Sequence, residues 1–230
     1  MDRKIKALDN PIWHALSNAH ACFAEGYHLA KRYQTDIGPL AAVREQSLEA
    51  YNALAELLGP NDIAVLFLDT PPQLPEGWRF LMNTFMEQMV CITPPPVSAL
   101  THSMEDLTTA DVPEMMALAK LTEPGPFRQR TIALGGFRGI RESGQLAAMT
   151  GQRTHPPGFV EVSAVCTHPN CRKRGYANAL VSDVSHRILA RNETPFLGAL
   201  QSNINAISVY EKQGFKIRRT LHLAVVHRPA

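Results

Sequence analysis

The chain has 230 residues, of which 45% are hydrophobic and 19% charged, the ordinary composition of a globular protein with a buried core. No apolar run approaches the roughly 18 residues that cross a membrane, and no signal-peptide core follows the charged start. The cysteines lack both the paired spacing of a metal site and the density of a disulfide scaffold (Cys22, Cys91, Cys166 and Cys171). We therefore expect a cytoplasmic protein with no metal and no membrane association.

The net charge of +2 is unevenly distributed. Residues 1–98 carry 7 Lys and Arg against 11 Asp and Glu, whereas residues 99–230 carry 16 against 10. A basic half favours an anionic ligand. Its cations are dispersed rather than interleaved with aromatic residues, so nucleic acid is not the expected partner.

The N-terminal part mixes helical and strand patterns. Between Gly38-Pro39 and Gly59-Pro60, apolar residues recur at helical spacing and predict a helix over 40–58. Residues 63–68 (IAVLFL) predict a buried strand. Residues 78–92 are apolar without a clear period.

A proline-rich segment, Thr93-Pro94-Pro95-Pro96-Val97, separates the two parts. Consecutive prolines cannot continue a helix or a central strand, and they favour a stiff extended connection. The sequence therefore predicts an N-terminal α/β domain over 1–92, a linker over 93–98 and a second domain over 99–230.

Strands and helices alternate after this segment. Asp111 and Pro113 predict a helix start, and a second helix follows Gly175. A short helix over 206–213 has Asn205 as its expected cap. Strand patterns occupy 131–150 (two strands around the turn at 141–144), 159–167, 196–200 and 215–226. This order predicts an α/β (α+β) fold with one mixed sheet.

The strand 159–167 leads into a basic loop that opens a helix. The loop contains Arg172, Lys173 and Arg174, and the helix starts at Gly175. Free N–H groups and the positive end of a helix dipole favour phosphate, and flanking cations add charge-assisted contacts. From these residues alone, a solvated basic turn is the alternative.

The string Arg172-x-x-Gly175-x-Ala177 resembles the acetyl-CoA-binding motif of the GNAT superfamily. Residues 203–215, from Asn203 through Tyr210 to Phe215, are similar to that family's following strand–helix block. The resemblance spans roughly 99–230, and the N-terminal extension also resembles that of glycine N-acyltransferase-like members. It implies a GNAT fold, whose central sheet is mixed, mostly antiparallel and flanked by helices. It also implies transfer of an acetyl group from acetyl-CoA, as co-substrate, to a primary amine by direct attack.

The resemblance also implies roles for individual residues. Glu161 matches a catalytic glutamate and is the candidate base, with a surface strand residue or a residue that orients the amine as alternatives. Tyr210 matches a tyrosine that protonates the leaving thiolate, with packing as its alternative. An acyl-enzyme intermediate on Cys166 is the less favoured route.

The expected cofactor-binding residues follow from the same comparison. Backbone groups of Val165 and Thr167 are expected to pair with the thioester and the pantetheine arm. Asn203 is a candidate for the pantetheine region or a strand-end cap. The full set is Val165, Cys166, Thr167, Arg172, Lys173, Arg174, Gly175, Tyr176, Ala177, Asn178 and Asn203.

Two functions remain open on the sequence. One is an N-acetyltransferase for a small-molecule or peptide amine, and the other is a GNAT-shaped module that binds coenzyme A without turnover. The extension over 1–92 is a degenerate GNAT-like half, a lid over the acceptor site or a dimerisation element, so a homodimer is a further expectation.

Overall fold

A computed structural model describes residues 5–60, 62–97 and 103–228. The α-helices are α1 (Pro11–Leu16), α2 (Leu48–Leu57), α3 (Val112–Thr122), α4 (Tyr176–Leu189) and α5 (Ile204–Lys212). The strands are β1 (Ala24–Gly26), β2 (Ala30–Tyr33), β3 (Ala41–Val43), β4 (Ala64–Leu68), β5 (Arg79–Cys91), β6 (Met104–Asp106), β7 (Arg138–Glu142), β8 (Gln145–Gln152), β9 (Phe159–Thr167), β10 (Thr194–Leu200) and β11 (Phe215–His227).

Eight of these strands form one sheet in the order β4-β11-β5-β10-β9-β8-β7-β6. Its neighbours are antiparallel except for β9 and β10, which run parallel. The prediction of a mixed, mostly antiparallel sheet flanked by helices is confirmed. A small sheet, β1-β2-β3, joins the β4 edge through a bridge between Leu40 and Val65.

The two predicted domains share this sheet. Strand β5 comes from the N-terminal side of the prolines, yet it lies hydrogen-bonded between β10 and β11. Strand β4 pairs with the outer edge of β11. Residues 94–97 run along α4, where Ser182 Oγ donates to the Pro96 carbonyl at 2.8 Å. The predicted boundary at 93–98 therefore does not coincide with a break in the sheet.

Both faces of the sheet are covered by packed side chains. Helix α4 buries Val181, Val184 and Ile188 against β9, β10 and β5. On the other face, α3 buries Met115 and Leu118 against β8 and β9. The N-terminal segment covers β4 and β11 from both sides, with α2 packed in one cluster and α1 in the other.

The structure corrects two local predictions. In place of the predicted helix over 40–58, the structure has a short strand, β3, and a helix that begins only at Leu48. The helix begins there because the Ser47 hydroxyl caps it by accepting from the Ala50 N–H at 3.2 Å. The cap of α5 is Asn203 rather than Asn205, and its side chain accepts from the Ala206 N–H at 3.2 Å. The unassigned stretch 78–92 contains β5, the partner of β11 along its whole length.

Candidate functional site

The parallel strands β9 and β10 separate after a short contact. Only Phe159–Glu161 of β9 pair with Thr194–Phe196 of β10. Beyond Glu161, β9 remains paired with β8, whereas β10 remains paired with β5. The sheet is therefore split between two central strands, and their facing edges border an opening.

A bulge in β9 directs its backbone groups at this opening. The register with β8 shifts between Met149 and Gly151, and Ala164 adopts φ 52°. Past the bulge, the His168 N–H donates to the Ala147 carbonyl at 2.8 Å on the β8 side. Backbone groups alternate along a strand, so those of Val165 and Thr167 face the opening. The sequence comparison implied the same two residues.

The N-terminus of α4 is open. Gly175 precedes it with φ 82°, a left-handed conformation that glycine adopts without strain, and no side chain caps the helix. The first helical hydrogen bond runs from the Ala179 N–H to the Gly175 carbonyl at 3.0 Å. The N–H groups of Ala177 and Asn178 therefore have no acceptor within the helix and suit an anion.

The cations of the loop before α4 divide into two groups. Arg174 Nη1 donates to Glu142 Oε1 at 2.6 Å, and the Tyr176 hydroxyl bonds to the same oxygen. These two side chains are therefore turned toward the end of β7. Arg172 and Lys173 are exposed and form no ion pair with the described part of the chain. They are the cations of the loop that can meet phosphate oxygens.

Tyr210 lies on α5 against the split. It packs in the same cluster as Val165, and its ring meets Phe215 edge-on at a centroid distance of 6.3 Å. Burial, with a smaller contribution from the Cys166 thiol, raises the pKa of Tyr210 to about 12. The phenol is therefore protonated at neutral pH and can serve as a proton donor.

Cys166 and Asn203 have structural environments. Cys166 is buried against α3, and burial raises the pKa of its thiol to about 11 while a hydrogen bond with Thr122 partly opposes the shift. A protonated, buried thiol is a poor nucleophile. Asn203 is exposed, and its side-chain oxygen caps α5, so it caps a helix rather than the end of a strand.

Glu161 is a buried residue with a full set of partners. Its side chain is 1% exposed and accepts from Arg153 Nη2 at 2.5 Å and Arg153 Nε at 3.1 Å. The Thr154 hydroxyl and N–H donate to Oε2 at 2.8 and 3.3 Å. The alternative of a surface strand residue is therefore wrong, and the carboxylate is held in one orientation.

A small cavity with room for about one water molecule lies on the α3 side of the bulge. It is lined by Pro124, Gly125, Pro126, Thr131, Phe137, Gln152, Arg153, Ser163 and Ala164. Arg153, Pro126 and Thr131 also line a second cavity of similar size that reaches residues 37–40 of the N-terminal segment. No motif in the sequence points to Arg153, although a residue just past β8 lies opposite Glu161 across the β8–β9 hairpin.

Two further features of the described residues concern metals and membranes. They contain no group of three or more His, Cys, Asp or Glu side chains placed to hold a metal ion. In the same ranges, no helix has the length and apolar character needed to span a bilayer.

The fold and sequence resemble known proteins. Residues 137–223 match the family model described as FR47-like protein. The chain is 36% identical to a GNAT-family protein from Novosphingobium aromaticivorans DSM 12444, covering 97% of this chain and 99% of that one with a TM-score of 0.90. No curated protein matches the sequence significantly.

More distant structures share the fold alone. A GCN5-related N-acetyltransferase from Kribbella flavida is 14% identical, with a TM-score of 0.66 and 97% and 96% of the two chains covered. A GCN5-related N-acetyltransferase-like protein from Streptococcus suis 89/1591 is also 14% identical, with a TM-score of 0.62 and 98% of each chain covered. The identity and coverage of the Novosphingobium protein, together with the split sheet and open helix N-terminus, show that the chain belongs to the GNAT family of acyltransferases.

Proposed function

We propose that this protein transfers an acetyl group from acetyl-CoA directly to a primary amine. The observation that carries the proposal is the opening between β9 and β10, because it lies between an uncapped helix N-terminus and a protonated tyrosine. The helix N-terminus suits the anionic part of the thioester, and the tyrosine can protonate the thiolate that leaves.

The residues around the opening fit a pyrophosphate-bearing thioester. The N–H groups at the start of α4, with Arg172 and Lys173, would hold the pyrophosphate. Backbone groups of Val165 and Thr167 would pair with the pantetheine arm and the thioester carbonyl. The buried hydroxyl of Thr167 has no hydrogen-bond partner among the described residues, which leaves a polar group for a ligand to satisfy.

The chemistry that follows is a direct displacement. The amine nitrogen forms a bond to the acyl carbon as the carbon–sulfur bond breaks, and the nitrogen loses one proton to water. The Tyr210 hydroxyl gives its proton to the departing sulfur and is reprotonated from solvent. An N–H group of β9 at the opening stabilises the oxyanion.

We assign Glu161 to orienting the acceptor side of the site. Both of its carboxylate oxygens accept from Arg153, and Oε2 also accepts from Thr154. A carboxylate with these donors is better suited to holding Arg153 than to taking a proton from the amine. Of the roles that its position suggested, the orienting one agrees best with these contacts.

The same contacts favour a second candidate function. Because the Glu161 carboxylate is held by Arg153 and Thr154 and is poorly suited to act as a base, the opening would also suit a module that binds coenzyme A without turnover. Such a module requires the groups around α4 but not the Tyr210 hydroxyl.

The test is thiol release from acetyl-CoA by the full chain across a panel of primary amines, with acetylated product identified by mass spectrometry. The proposal expects amine-dependent release that falls strongly in Tyr210→Phe. Binding of acetyl-CoA with no amine-dependent release from any member of the panel would favour the binding module instead.

A further inference from the structure

Strand β5 extends past the end of its neighbour β10. Residues 86–90 of β5 pair with β10, and just beyond them the Gln201 N–H donates to the Phe85 carbonyl at 3.0 Å. Residues 79–84 continue past this point and pair with β11 on one side. On their other side they pair with no described strand. Backbone groups alternate along a strand, so Asn83 presents its N–H and C=O to this free side.

The free side of β5 carries exposed apolar side chains. Four large apolar residues of the strand are 43–58% exposed, namely Phe80, Leu81, Met82 and Phe85. Leu200, opposite Met86 at the end of β10, is 41% exposed, and Ile204, which begins α5, is 74% exposed. We call these six side chains the β5 edge.

The β5 edge lacks the residues that commonly protect a free strand. Charged side chains and prolines usually keep such a strand from pairing with another chain. Residues 80–86 (FLMNTFM) contain neither a charge nor a proline. A register shift opposite Val225 and Val226 leaves Leu81 as the extra residue of β5, and a bulge of this kind re-aims a side chain. Leu81 is the most exposed of the four residues on the strand.

The apolar area of the β5 edge fits the needs of a dimer. At about 150 Å² for a fully exposed large apolar side chain, six that are about half exposed present about 450 Å². A standard interface buries about 800 Å² per partner, of which somewhat more than half is apolar. The β5 edge therefore supplies the apolar share of such an interface.

The shape of the free side suits a second copy of β5. Gln201 closes it at Phe85, so an antiparallel strand that pairs here must begin at that end. Strand β5 meets this condition, because it begins at Arg79, directly after Trp78 and the turn at 76–77. Two identical strands become antiparallel across a two-fold axis, which is the commonest symmetry of soluble oligomers.

We infer that two copies of this chain form a dimer through antiparallel contact of their β5 edges, with the two-fold axis close to Leu81 and Met82. Strand β5 precedes the prolines, so the inference favours a dimerisation element among the roles expected for residues 1–92. It does not depend on the proposed acetyl transfer.

The first test measures the mass of the full chain in solution by size-exclusion chromatography with light scattering. The unmodified protein is expected at twice the chain mass of 25.4 kDa. Leu81→Arg places like charges beside the axis and should raise the dissociation constant of the dimer by about 100-fold or more, with an unchanged circular dichroism spectrum. Leu48→Arg, at a leucine of α2 that is also 58% exposed, is the matched control and should remain dimeric.

A monomeric unmodified protein at every soluble concentration would overturn the inference. A dimer that Leu81→Arg does not weaken would also overturn it, because the interface would then lie elsewhere.

The second test locates the axis by crosslinking and still applies if Leu81→Arg fails to fold. Near a two-fold axis a residue meets its own counterpart, so Met82→Cys should form a disulfide between two copies on mild oxidation. Cys22→Ser serves as the background, because Cys22 is the exposed cysteine. Leu48→Cys in that background should stay uncrosslinked. A dimer that does not crosslink through Met82→Cys would contradict the proposed axis. Both tests are made without acetyl-CoA, so dimerisation and acetyl transfer can fail separately.

Discussion

Arg174 Nη1 lies 2.6 Å from Glu142 Oε1, and this pair ties the loop before α4 to the end of β7. The Tyr176 hydroxyl and the Cys171 thiol donate to the same carboxylate. Glu142 thus contacts three residues of the loop and helix start proposed to hold pyrophosphate. These contacts are expected to hold the loop and the helix start in position.

Glu142→Gln is therefore expected to raise the KM for acetyl-CoA several-fold while kcat stays within about twofold, because the variant loosens the phosphate loop but leaves the reacting groups in place. Steady-state kinetics with varied acetyl-CoA measure both constants. A fall in kcat with an unchanged KM would contradict this role.

The same contacts predict a pH dependence. Hydrogen bonds from Tyr176, followed by those from Cys171 and Arg174, lower the pKa of Glu142 below its ordinary value. A lowered pKa in the folded protein means that the carboxylate keeps its contacts above the ordinary pKa and loses them as pH falls through the lower value. The affinity for acetyl-CoA, measured by titration, should therefore not change through protonation of Glu142 between neutral pH and about pH 5. A Glu142-dependent loss of affinity within that range would show that the pKa is not lowered.

Arg172 and Lys173 should contribute to binding rather than to turnover. Arg172→Ala and Lys173→Ala are each expected to raise the KM for acetyl-CoA by about tenfold or more at low salt, because each removes a charge-assisted contact. Added salt should reduce the difference in KM between each variant and the unmodified protein. Equal KM values for the two variants and the unmodified protein would show that the pyrophosphate binds elsewhere.

Tyr210→Phe should lower kcat by about 100-fold or more while the KM for acetyl-CoA changes little, since only the proton donor is removed. Tyr27→Phe, at a tyrosine that is 82% exposed, is the matched control. With the pKa of Tyr210 raised to about 12, no loss of activity from its ionisation is expected up to about pH 10. Full activity of Tyr210→Phe would leave the tyrosine with a packing role only.

The segment before the prolines should be required for folding. A fragment of residues 99–230 lacks β5 and β4, so β11 would lose both of its neighbours and expose the buried face around Phe215 and Leu221. We expect this fragment to be unfolded or aggregated by circular dichroism and gel filtration. In contrast, the full chain cleaved at a protease site introduced within 94–97 should remain assembled. A soluble, cooperatively melting fragment would support two independent domains.

The pair Arg153–Glu161 provides a stability test. Arg153→Met should destabilise the fold by about 3–5 kcal/mol, because it leaves a buried carboxylate without its partner. Adding Glu161→Gln to that variant should recover part of the loss, measured by urea denaturation. A double variant destabilised by as much as, or more than, the sum of the two single variants would contradict the pairing.

Most of the second half of the fold could be predicted from local signals. The strand 159–167, the helix after Gly175 and the final strand each follow from apolar periodicity and from Gly or Pro at their ends. The position of β5 could not be predicted in this way. Its partners lie more than 100 residues away, and consecutive prolines suggest a domain boundary whether or not a sheet continues across them.

The residues of the candidate site also separate into those that local sequence could predict and those that it could not. Gly175 and Tyr210 could be proposed from the sequence, because the motifs that contain them are contiguous and resemble those of the family. Arg153 was missed, because its place beside the buried Glu161 and the Phe67 ring of the N-terminal segment depends on tertiary contacts.

Calorimetric titration of acetyl-CoA into the full chain, alongside Gly175→Glu, tests the central claim most directly. A glutamate there would be strained at φ 82° and would place a negative charge at the start of α4. We predict saturable one-to-one binding that is weakened by at least about tenfold in the variant. Absence of binding at millimolar acetyl-CoA, or equal affinity of both proteins, would contradict the account.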